Sequence, residues 1–89
     1  MTSTDEVTTK DDVIKFIINY IIDNSSLDNI NVSTHSNFIT EHLLDSFATL
    51  SMIMTLESEY SFKFDPEELG NERMRVVGKL AEIIISKIE

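Results

Sequence analysis

An all-α fold is expected: a four-helix bundle with a long first loop and a short third helix. Only two Gly and one Pro interrupt the 89 residues, and a composition rich in Ile, Leu, Met, Lys and Glu favours helices over a turn-rich sheet. Three long segments repeat their apolar residues at helical spacing. The apolar fraction of 42 %, with five Phe and two Tyr, supplies one small core and is too high for a disordered tail. Length fits one module, so residues 9–89 are expected to form a single domain behind a flexible N-terminus, residues 1–8.

The first helix is expected over residues 9–24. Val13, Ile14, Ile17, Ile18 and Ile21 form a helical stripe, Thr9 stands where a cap is needed, and Asp12 holds the capping-box position. The β-branched run from Phe16 to Ile22 also suits a strand, but segment length and caps favour helix. About twenty residues follow, Ser25 to Leu44, rich in Ser, Asn and Thr and expected to be anchored by Leu27, Ile30, Val32, Phe38 and Ile39. A connection that long in a compact domain is commonly functional.

The second helix, residues 45–60, places Leu50, Ile53, Leu56 and Tyr60 on one face and Phe47, Leu50 and Met54 on an adjoining one, so it is apolar on more than one side. Asp65-Pro66-Glu67-Glu68 is a compact start signal, with a capping Asp, Pro at the first helical position and carboxylates near the positive end of the dipole. It opens a third helix, 66–70, that Gly70 ends within about one turn. The last helix, 76–88, repeats Val77, Leu80, Ala81, Ile84, Ile85 and Ile88 in the cleanest amphipathic pattern of the chain.

Sixteen Asp and Glu against seven Lys and Arg give a net charge of −9, which repels phosphate backbones and anionic membranes. No nucleic-acid partner and no stable membrane insertion are expected. From Phe16 to Phe62 there is no Lys or Arg, while Asp23, Asp28, Glu41, Asp45, Glu57 and Glu59 fall there, a stretch expected to attract a basic partner surface. The absence of Cys removes disulfides, thiolate metal sites and a Cys nucleophile. Met1 to Glu6 lacks a basic n-region and an apolar h-region, and the apolar runs fall short of a membrane span, so a cytoplasmic location is expected. His35, His42 and Glu41 make a poor metal set because no second ligand pair matches them. Arg73, Arg75 and Lys79, the one basic cluster, are expected to pair with the chain's own acids.

Asp45-Ser46 stands where the long loop meets the second helix, putting a hydroxyl beside backbone N–H groups. Local spacing alone favours plain helix capping. His42 nearby suggests a Ser/His/Asp hydrolase, but there is no Gly-x-Ser-x-Gly elbow and the chain is far smaller than such enzymes. The surroundings decide the matter. Asp45-Ser46-Phe47, then Leu50, Leu56-Glu57, Glu59-Tyr60, Phe62, Phe64 and Glu67-Glu68-Leu69 resemble the acyl carrier protein family, and Phe38 and Ile39 match the apolar pair of that family's long first loop. The resemblance runs without a gap from Phe38 to Leu69 and more loosely over the flanking helices.

The resemblance implies an acyl-carrier-type bundle in which Ser46 accepts a 4′-phosphopantetheine arm from coenzyme A, with Asp45 as its motif neighbour. A separate Mg²⁺-dependent phosphopantetheinyl transferase would supply metal and base, the Ser46 oxygen would attack the β-phosphate, and 3′,5′-ADP would leave. An unactivated Ser needs such an outside base. Acyl or aminoacyl groups would ride as thioesters on the arm's thiol while loading and processing enzymes (a ligase, or a synthase or transferase) do the chemistry, so the chain itself would be a monomeric carrier and not an enzyme. Phe47, Leu50 and Met54 are expected to share in partner docking, with Glu57 as a rim charge. Core packing is the competing role for Phe47 and Met54 and the stronger one for Leu50, which could also line a cavity for the acyl chain; Ile53 and Leu56 are core. Leu43-Leu44 replace a segment that usually carries Gly two residues before the Asp, and Ala48 and Ser51 stand where acids are common. These departures look closer to stand-alone polyketide-type or D-alanyl and other aminoacyl carriers than to the housekeeping fatty-acid carrier. His42 stands where an aliphatic residue is common. The competing class is a small acidic helical interaction module without a prosthetic group, binding partners through Phe47 and Met54.

Overall fold

A computed structural model describes residues 8–27 and 29–88. All but Thr8 of the expected flexible N-terminus lies outside the described residues, as does Asp28. The chain runs α1 (Lys10–Asn24), α2 (Ser46–Tyr60), α3 (Pro66–Leu69), a 3₁₀ turn (Glu72–Arg75) and α4 (Val77–Ile88). There is no strand among the described residues, only an isolated antiparallel bridge between Asn37 and Val76.

Thr9 caps α1 as expected. Its hydroxyl accepts the Asp12 N–H at 3.2 Å, and the Asp12 carboxylate accepts the Thr9 N–H at 3.2 Å, which satisfies two groups the first turn leaves orphaned. The α1 stripe buries Val13, Ile17 and Ile21, mainly against the α4 stripe of Val77, Leu80, Ala81 and Ile84. Phe38, Met52 and Leu56 complete the fully buried interior. Phe16 of α1 meets Tyr60 of α2 edge-on with centroids 5.8 Å apart. Burial, then the charges of Glu59 and Asp12, raise the Tyr60 phenol above its ordinary pKa.

The long loop is fastened from both sides. Gly78 and Val77, at the start of α4, donate their N–H groups to the carbonyls of Thr34 and Ser36 at 2.8 and 3.0 Å, and Phe38 donates to Arg75 at 2.9 Å. Phe38 is buried and Ile30, Val32 and Ile39 pack on the core. Leu27 is a correction: it is 47 % exposed and is not among the residues that pack on the core, because it follows the end of α1 at Asn24, past the helix's buried stripe. Leu43 and Leu44, at the far end of the loop, are buried.

The 3₁₀ turn was not expected. The Asn71 side chain accepts the Arg73 N–H at 2.8 Å, and the turn buries Met74. The basic cluster finds a partner in part: Glu82 takes Lys10 at 2.9 Å and Arg73 at 3.4 Å. Lys10, then Arg73 and Lys79, hold its carboxyl below the ordinary range. At the other end Lys87 bridges to Glu68 at 2.9 Å and Asp65 at 3.5 Å, tying α4 to α3. No helix among the described residues is long and apolar enough to cross a membrane.

Candidate functional site

The segment before α2 makes a tight reversal. Leu43 and Leu44 both donate to the Phe38 carbonyl, at 3.0 and 3.2 Å, and His42 donates to Ile39 at 3.0 Å. The reversal puts His42 in the left-handed region, φ 59°, where His is tolerated better than an aliphatic residue. This accounts for two departures noted in the sequence. The left-handed position falls on exposed His42, so residue 43 needs no glycine and Leu43 is free to enter the core.

Asp45 is the N-cap of α2, and its carboxylate accepts the Ala48 N–H at 2.7 Å. Ser46, the first helical residue, is exposed. The N–H groups of the first turn have no acceptor inside the helix; Asp45 satisfies that of Ala48, leaving those of Ser46 and Phe47 at the positive end of the helix dipole. No hydrogen bond among the described residues joins Ser46 to His42, and the Asp45 carboxylate is spent on its cap, so the three residues do not assemble as a triad. No group of three or more acidic or His side chains among the described residues could hold a metal ion.

The α2 faces differ from one expectation. Met52, Ile53 and Leu56 are buried, whereas Leu50, expected mainly in the core, is 60 % exposed in one stripe with Phe47 at 80 % and Met54 at 61 %. At about 100° per residue, Met52, Ile53 and Leu56 span one arc and Phe47, Leu50 and Met54 the opposite one. Core roles for those three are thereby excluded. Glu57 is only half-exposed, and its carboxylate accepts the Phe64 N–H at 2.9 Å, closing the chain over the end of α2. Sequence reasoning passed over Thr49, one turn on from Ser46. Its hydroxyl is buried with no partner among the described residues, while Thr55 on the same helix donates to the Ser51 carbonyl at 2.8 Å.

A small all-α bundle that carries an Asp-Ser pair at the exposed start of its second helix has the architecture of a carrier domain. Compared with curated proteins, the chain is 34 % identical over 71 residues to the acyl carrier protein of Picosynechococcus sp., a match covering 80 % of this chain and 85 % of that relative. The chain belongs to the acyl carrier protein family. No family model matches it, and no solved structure does. Acyl carrier proteins are carriers and not enzymes; they normally bear a phosphopantetheine arm and work with a phosphopantetheinyl transferase and acyl-handling enzymes. The residues at the start of α2 fit such an arm: Ser46 would hold it through an exposed hydroxyl, Asp45 is bonded to the Ala48 N–H, and the first-turn N–H groups of Ser46 and Phe47, which lack an acceptor inside the helix, would favour its negative charge.

Proposed function

We propose that residues 9–89 form a single carrier domain that tethers acyl or aminoacyl intermediates through a 4′-phosphopantetheine arm on Ser46. The observation that supports this most directly is the exposed Ser46 hydroxyl directly after the Asp45 cap, in a chain of the acyl carrier family. Ser46 acts as a substrate of modification. Its hydroxyl makes no hydrogen bond to a base among the described residues, so an outside base is needed: its oxygen bonds to the β-phosphorus of coenzyme A, its proton passes to a base on the Mg²⁺-dependent transferase, and 3′,5′-ADP leaves. Once attached, the arm supplies the thiol that a Cys-free chain lacks and on which thioesters ride. Asp45 keeps the first turn closed, and the helix dipole favours negative charge at Ser46.

The charge-poor second helix, with Ala48 and Ser51, supports a stand-alone carrier of a specialised pathway, of polyketide or D-alanyl and other aminoacyl type, working in the cytoplasm as a monomer. The test is intact mass before and after incubation with coenzyme A, Mg²⁺ and a broad-specificity transferase, beside Ser46→Ala and a known carrier in the same tube. One phosphopantetheine on the parent and none on the variant is expected. An unmodified, folded parent beside a modified control would favour the unmodified interaction module.

A further inference from the structure

We propose that the pocket where α1, the long loop and α4 meet binds a single phosphate group, free or as a monoester, whether or not Ser46 is modified. The pocket holds about 170 Å³ and is lined by Lys10 of α1, Thr34 and His35 of the loop, and Gly78, Lys79 and Glu82 of α4. Sites for drug-sized ligands run from about 300 to about 1,000 Å³, so this one suits one tetrahedral group.

Its donors are side chains. Val77 and Gly78, in the first turn of α4, already give their N–H groups to Ser36 and Thr34. Glu82 takes Lys10 on one carboxylate oxygen at 2.9 Å and Arg73 on the other at 3.4 Å, while Lys79 has no ion-pair partner among the described residues. One carboxylate thus stands among three cations, and every charge that acts on it is positive: Lys10 first, then Arg73 and Lys79. An ammonium carries three donors and a guanidinium five, and Lys10 and Arg73 each spend one on Glu82. The others stay open to an anion. The Thr34 hydroxyl and the His35 ring add neutral donors.

The charge of the chain selects a small anion over a long one. A polyanion running beyond the pocket meets a molecule of charge −9 and is repelled. At 0.1 M salt, exposed charges more than about 10 Å away are largely screened, so a single phosphate group feels mainly the local cations. Bound there it bridges α1, loop and α4, and stabilises the fold in proportion to its affinity.

The test is amide NMR of the full chain at pH 7, titrated with inorganic phosphate, with glycerol 3-phosphate and with NaCl at matched ionic strength. Saturable shifts confined to Lys10, Thr34, His35, Gly78, Lys79 and their neighbours are expected with both phosphates and not with NaCl. Tighter binding of glycerol 3-phosphate would make the occupant a monoester, and tighter binding of inorganic phosphate the free ion. Lys79→Gln should weaken binding about fivefold, the worth of one hydrogen bond. Glu82→Gln should tighten it by a similar factor, the worth of one like charge at about 4 Å in water. Lys63→Gln, exposed and outside the pocket, should change it less than about twofold, and circular dichroism checks each fold. Shifts that never saturate, that NaCl reproduces or that scatter over the chain would overturn the proposal. So would unchanged affinity in a folded Lys79→Gln, or weaker binding in Glu82→Gln.

Discussion

Thr49 and Thr55 lie six residues apart on α2, and only Thr55 returns its hydroxyl to a backbone carbonyl of the preceding turn. A buried hydroxyl without a partner costs about 1–3 kcal/mol relative to an apolar group of the same shape. Thr49→Val is therefore expected to raise unfolding stability by about 1 kcal/mol, seen as a higher urea midpoint with an unchanged slope. A lower midpoint would mean that the hydroxyl is satisfied. His42 shows a different residue effect. Its left-handed backbone follows from the bonds that Leu43 and Leu44 give to Phe38, and no pattern of apolar spacing encodes such a turn.

The elements were legible to different depths. Thr9, Asp12, Asp65 and Pro66 marked helix starts because capping is local chemistry, and α1 and α4 show their buried faces because each has one apolar stripe. α2 defeats periodicity: with apolar residues most of the way round, spacing cannot say whether Leu50 or Met52 turns inward, and only the positions of α1 and the loop decide it. The 3₁₀ turn, Glu72–Arg75, was missed because it is too short for a period and is held by long-range bonds such as Phe38 to Arg75. At the site, the Asp-Ser pair and its flanking residues carried the family resemblance, whereas the engagement of Glu57 with Phe64 depends on how the chain folds back after α2.

The join between loop and α4 has its own test. A Cβ built on Gly78 would lie 2.5 Å from the Thr34 methyl and 3.1 Å from the Thr34 carbonyl oxygen, which already accepts the Gly78 N–H at 2.8 Å. Ala normally improves a helix by about 1 kcal/mol over Gly, but here it pushes the loop off α4. Gly78→Ala is expected to destabilise by about 1–3 kcal/mol, measured by thermal melting. A rise in melting temperature would show that the loop can yield.

For the molecule as a whole, acid acts through the ion pairs at its two ends. The Asp65 N–H and Lys87 hold the Glu68 carboxyl below its ordinary 4.5, and Lys10 does the same for Glu82. Groups shifted downward stabilise the fold above their unfolded pKa, and that contribution disappears as pH falls through the folded value. Lys87 is shifted upward by Glu68, so its share is complete below its ordinary 10.5 and fades only at higher pH. The gap in urea midpoint between the parent and a Glu68→Gln/Glu82→Gln variant should therefore be open at pH 7 and close below about pH 4.5. The Lys10–Glu82 pair is exposed and the Lys87–Glu68 pair is half-buried at the surface, so the gap is small. A gap that persists at pH 3 would show that the glutamates act through packing.

The exposed stripe on α2 also bears on handling and storage. At neutral pH a charge of −9 keeps molecules apart, so Phe47, Leu50 and Met54 stay exposed without sticking to their own kind. Near the isoelectric point of about 4.5 that colloidal barrier vanishes while the hydrocarbon stays uncovered. Turbidity should peak there and subside when the stripe is replaced by serines. Acid precipitation of this protein is then a property of its exposed apolar stripe and not a sign of unfolding.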